Sequence, residues 1–147
     1  MFTLSADTYS IKYMNLHEIK QQKEDKVSTL IKESGMFFAF SNQQFEENKT
    51  PKAEGEKYVH LFAGAYLPKS KLNVYLDGMD AINKWFKEAI KDSKLRREHI
   101  IYELSNHEAW YSGDVEDTLN ALGPDYTYGE VKTIFNAEYN KQMALRD

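Results

Sequence analysis

The sequence predicts an α+β fold, mostly helical, with four to five helices packed around a small two-stranded ribbon. Three observations lead there. Apolar residues recur at helical spacing over most of the chain, most regularly from Leu72 to Ile90. Two apolar runs, Met36–Phe40 and Tyr58–Phe62, are too short for helices and suit strands. Capping residues and glycines divide the rest into helical segments. The ribbon is expected to be antiparallel, the commoner pairing, and to need the helices for stability.

Taken in order, Met1–Tyr13 has no helical period and precedes a second methionine, Met14. It reads as an N-terminal extension, followed by a single globular domain over residues 14–147. Asn15 is a good N-cap with Glu18 as its capping-box partner. The helix that follows runs to about Ser34, with Leu16, Ile19, Val27, Leu30 and Ile31 as its apolar positions. Its middle, Lys20–Lys26, is entirely polar, so only the two ends are expected to be anchored. Gly35 closes it. Met36–Phe40 is read as a buried strand, paired with Tyr58–Phe62 across a loop holding Pro51 and Gly55. Ser41 can cap a short helix through Glu47. Gly64 marks a bulge or a close backbone approach. Pro68 suits the first turn of the strongest helix, whose apolar face is Leu72, Tyr75, Leu76, Met79, Ile82, Trp85, Phe86, Ala89 and Ile90. Gly78 inside it costs roughly 1 kcal/mol against Ala, and a close crossing is one reason to keep it.

The stretch Leu95–Gly123 carries the residues best suited to chemistry. His99, Glu103 and His107 are spaced by four and form one helical stripe. His107 also continues the apolar line of Ile100, Leu104 and Tyr111, which sets it beside the core. Gly113 ends the helix, and Asp114 caps the next, with Asp117 in its first turn. Gly123-Pro124 stops that helix. Thr127 and Glu130 then form a capping box for a last helix that buries Val131, Ile134 and Phe135.

Composition narrows the function classes. A net charge of −4 over 147 residues argues against general nucleic-acid binding, which rests on Lys and Arg neutralising phosphates. The basic run Lys84–Arg97 is diluted by Glu88 and Asp92 and reads as a solvated helix face. With no cysteine there are no disulfides, thiolate zinc sites or cysteine nucleophiles. No apolar segment reaches membrane-spanning length, and the N-terminus lacks the charged start and apolar block of a secretory signal. A cytoplasmic location without a membrane role is the expectation. There is no G-x-S-x-G elbow, no phosphate-binding glycine loop and no dinucleotide fingerprint, so no cofactor is predicted.

Two readings of the central stretch stay open. In the first, Glu103, His107 and Asp114 hold a divalent metal, or His107, Glu108 and Glu103 serve as acid and base. His99 and His107 are about 12 Å apart along a helix and cannot share one ion. In the second, His107 is a hydrogen-bonded structural residue, and Asp114 is only a cap. A separate expectation concerns recognition: Trp110, with Tyr126 and Tyr128, forms an exposed aromatic patch for a protein partner, unless the last helix covers Trp110.

Three segments, FFAFSNQQF at Phe37–Phe45, GAYLPK at Gly64–Lys69 and ELSNHEAWYSGDVEDTLNALG at Glu103–Gly123, are similar to short proteins of tailed phages, prophages and some bacteria. The likeness spans Leu16–Tyr139 and assigns no function. It implies a small accessory protein of phage-like or mobile-element origin, one that modulates a host system. With the composition, it gives the expected function: action by protein–protein interaction. The alternative is a metal-dependent or acid/base enzyme, or a small-ligand-binding protein, centred on Glu103, His107, Glu108 and Asp114.

Overall fold

The computed structural model describes residues 14–51 and 55–145; the expected extension over residues 1–13 lies outside them. The fold is α+β and mostly helical. Among the described residues there are seven helices, where four or five were expected, and the excess is in short ones. The elements are α1 (Leu16–Ser34), β1 (Phe37–Phe38), α2 (Asn42–Asn48), β2 (Tyr58–Phe62), β3 (Ala65–Pro68), α3 (Leu72–Ala89), α4 (Ser93–Asn106), α5 (Ala109–Ser112), α6 (Glu116–Leu122) and α7 (Tyr128–Ala144). A single 3-10 turn, Lys69–Lys71, joins β3 to α3. The described residues fall into two compact units: His17–Lys87, and the residues from Glu88 onward together with 14–16.

The first unit holds a three-stranded antiparallel sheet in the order β1-β3-β2, not a two-stranded ribbon. β1 pairs with β3, with Phe37 opposite Tyr66 and Phe38 opposite Ala65. It does not pair with β2. The reason lies in Ala63–Gly64. These two residues reverse the chain, so that the apolar stretch after Tyr58 becomes a hairpin instead of one strand with a bulge. Ala63 takes φ +35, as the first residue of the tight hairpin turns that suit strand twist must. Gly64 contributes closeness: a Cβ there would stand 2.6 Å from the Phe40 ring and 2.9 Å from the Ala39 carbonyl oxygen.

In the same unit α1 and α3 run antiparallel, since contacts step forward along one and back along the other. Lys23 lies over the Phe86 ring at 4.5 Å and Lys26 over the Trp85 ring at 4.7 Å. Leu30 meets Gly78, where a Cβ would lie 2.5 Å from its side chain. The polar middle of α1 is therefore anchored, against expectation. Lysine stems cover aromatic rings while the ammonium groups face the π-clouds. Ile19, Leu67, Ile82 and Trp85 form the buried centre of this unit.

In the second unit Asp92 caps α4 by accepting from the N–H groups of Lys94 and Leu95. α4 ends at Asn106, short of the continuous helix expected to Ser112. Glu108 adopts a left-handed conformation, φ 54, and α5 begins after it. Gly113 at φ 73 then closes α5 as expected. The Thr127 hydroxyl accepts from Glu130 N–H at 3.2 Å, the capping box that opens α7. Leu95, Ile100, Leu104, Trp110, Val131 and Phe135 make the core.

Candidate functional site

Glu103 sits in the last turn of α4 and His107 is that helix's C-cap residue. Their side chains approach to 3.3 Å, between Glu103 Oε2 and His107 Nε2. That is ion-pair distance, but the alignment is too poor for a hydrogen bond, and Nε2 is buried without a hydrogen-bond partner. The Glu103 main-chain carbonyl accepts from the His107 N–H and from the buried Thr118 hydroxyl. The other two candidates do not join this pair. The Glu108 side chain is exposed. Asp114 accepts from Glu116 N–H at 2.9 Å, but the N-cap of α6 is Val115, so Asp114 stands one residue before the expected capping position. Among the described residues no three His, Asp or Glu side chains gather as a metal-holding group, so Glu103, His107 and Asp114 are not brought together as ligands.

The aromatic patch expected of Trp110, Tyr126 and Tyr128 does not form. Trp110 is 1% exposed, stacks on Phe135 with ring centroids 5.2 Å apart, and donates from Nε1 to Ser105 Oγ. The last helix covers it, because a large flat ring buries more apolar area than any neighbour. Tyr126 is also buried. Its hydroxyl lies 2.9 Å from His99 Nδ1, and its ring lies under the Arg96 guanidinium at 4.0 Å. Only Tyr128 is exposed.

The charges of the second unit are largely paired. Arg96 donates to both Glu130 oxygens and to the Asp125 carbonyl. Its guanidinium holds the Glu130 carboxyl below the usual carboxylate range, and Arg97 does the same for Glu138. Burial pushes the Tyr126 phenol up. Arg96 and Arg97, at the end of the basic run, thus tether α4 to α7.

The surface feature that stands out is on the sheet. Phe38, Phe40 and Phe62 are 46%, 76% and 53% exposed. Phe38 and Phe62 are both register partners of Ala65, from the strands on either side of β3. The Phe40 ring lies against Gly64, the residue next to Ala65. Three phenyl rings therefore surround one small-residue corner. The opposite face is closed: Phe37, Tyr58, Tyr66 and Phe45 of α2 make edge-on and stacked contacts with centroids 5.1 to 5.8 Å apart. The His60 ring lies against Tyr66, tilted by 30° with centroids 4.8 Å apart. The expectation of a buried strand over Met36–Phe40 concealed the exposure of Phe38 and Phe40. The period of two in a strand was the available signal, since it turns Phe38 outward when Phe37 points in.

A model for a family of unknown function, DUF7659, matches residues 19–144. No curated protein and no solved structure matches the chain.

Proposed function

We propose, from the premise that the chain belongs to the DUF7659 family of unknown function, that it acts by binding another protein through the phenylalanine corner of its sheet. The observation that carries this is the exposure of Phe38, Phe40 and Phe62 around Gly64–Ala65. Burying one such side chain is worth about 1.5–3 kcal/mol, so three left together in water favour a partner that covers them. Aromatic residues, Phe among them, are enriched in the buried cores of protein interfaces. The net charge of −4 supports a protein over a nucleic acid as partner. The resemblance to short phage and prophage proteins suggests a host protein as the target and an accessory, modulating role in the cytoplasm.

The test compares affinity capture from a bacterial host lysate by the wild-type chain and by Phe40→Ser/Phe62→Ser. A protein held by the wild type should be lost with the variant, and should bind again when both are purified. Equal capture by a folded variant would contradict the reading.

A further inference from the structure

The two edges of the sheet differ. At β1, α2 takes up main-chain groups that would otherwise face outward: Asn48 Nδ2 donates to the Phe38 carbonyl at 2.9 Å, and Phe40 N–H donates to Gln44 Oε1 at 2.8 Å. At β2 no such cover exists among the described residues. Lys69 N–H donates to the Lys57 carbonyl at 2.8 Å, which makes Lys57 and Lys69 a hydrogen-bonded pair. Antiparallel ladders alternate, so Val59 and Leu67 form the next such pair. Tyr58 and His60 are then left with N–H and C=O turned away from β3. Pro68 opposite Tyr58 fits this, since it has no N–H to give. Among the described residues these outward groups have no hydrogen-bond partner. An open edge of this kind is a template for another strand.

Charge marks the two ends of the edge differently. Lys57 and Lys69 are cross-strand neighbours, both exposed, and in no ion pair among the described residues. Phe62 is exposed at the other end. We infer that β2 takes an extended segment of a partner protein as a fourth strand, with an acidic side chain beside Lys57 and a large apolar one beside Phe62. The cross-strand neighbours of Lys57 and Phe62 are Lys69 and Ala65, four positions apart on one face, so the two side chains of the added strand also lie four positions apart, roughly 13 Å at about 3.3 Å per residue. This rests on the protein-binding reading and gives the partner its form. A second copy of this chain does not fit. Antiparallel pairing of β2 with itself sets Lys57 against Val59, Leu61 or Ala63, never against a carboxylate, and the irregular register between His60 and Phe62 shortens the overlap.

The probe is an array of synthetic nonapeptides that alternate Val and Thr, with one Asp and one Phe at every spacing and in both orders, read with the purified full-length chain. Binding should peak where Asp and Phe are four positions apart, on one face of the peptide. His60→Pro removes the outward N–H and leaves the ladder to β3 intact, a place where an edge strand accepts proline. It should weaken the best peptide at least tenfold with the melting temperature retained. Lys57→Glu/Lys69→Glu should weaken the same peptide and prefer its Asp→Lys version. Strand addition is overturned if no peptide binds, if binding ignores both variants, or if sedimentation shows a wild-type dimer that His60→Pro dissociates. A captured partner that depends on Phe40 and Phe62 but not on His60 would leave the protein-binding reading standing and remove this one.

Discussion

Gly78 sets two opposed effects against each other. Replacing it by Ala gains about 1 kcal/mol of helix propensity. The new Cβ would stand 2.5 Å from buried Leu30, and overpacking of that kind costs about 1–3 kcal/mol. The crossing should win: Gly78→Ala is expected to lower stability by about 1 kcal/mol in a denaturant titration, and a more stable variant would mean that Leu30 yields freely. Glu108 gives the opposite case. It is exposed, its φ is 54, and the left-handed region costs a residue with a Cβ about 1–2 kcal/mol. Glu108→Gly should raise stability by up to about 1 kcal/mol after the added freedom of the unfolded chain is counted. A loss of stability would show that the Glu108 side chain makes a bond worth more than the strain. These residues also mark what could be read in advance. Gly78 was legible as a close crossing, because a glycine inside a strong helical period has little other use. Glu108 was not, because Glu favours helices and nothing local announces a left-handed turn.

At the scale of elements, the start of α7 shows how long-range pairing completes what local sequence begins. Thr127 and Glu130 were readable as a capping box. That Glu130 also pairs with Arg96, 34 residues away, was not readable, since nothing in the sequence gives the distance between two helices. Arg96 lowers the folded-state pKa of Glu130, so its stabilising contribution is complete above the ordinary carboxylate range and is lost as pH falls through the lowered value. Glu130→Gln should cost about 1–2 kcal/mol at pH 7, as expected for a half-buried two-pronged pair. The gap between wild type and variant should close as pH drops below about 4. A gap that stays constant down to pH 3 would show that the charge on Glu130 is not what α7 uses. The sheet repeats the lesson. Strand character at Phe37–Phe38 and Tyr58–Phe62 was legible from composition, but the pairing was not. The turn at Ala63–Gly64 lacks the Asn-Gly or Asp-Gly signature that flags a hairpin.

At the scale of the whole molecule, the fold class was legible and the site was not. Helical periodicity is a local property, and it gave the mostly helical α+β fold. An exposed patch is a coincidence of distant residues, and of the three aromatics expected to form one, two are buried. Trp110 and Tyr126 looked available because they flank a turn, yet α7 and Arg96 cover them. Phe38 and Phe40 were expected to be buried because a short apolar run suits a buried strand. Glu103 and His107 do meet, as their spacing of four requires, but Glu108 and Asp114 have other geometry and join no cluster. Where a partner touches the surface can be measured directly. A photo-crosslinking phenylalanine analogue is placed at Phe40 in one strain and at Tyr128 in another, and the host cells are irradiated. The corner around Gly64 should give a discrete adduct with one protein from the Phe40 position and none from Tyr128. An adduct from Tyr128 alone, or none from Phe40 in a folded and expressed chain, would contradict the central claim and return the search to the helical unit.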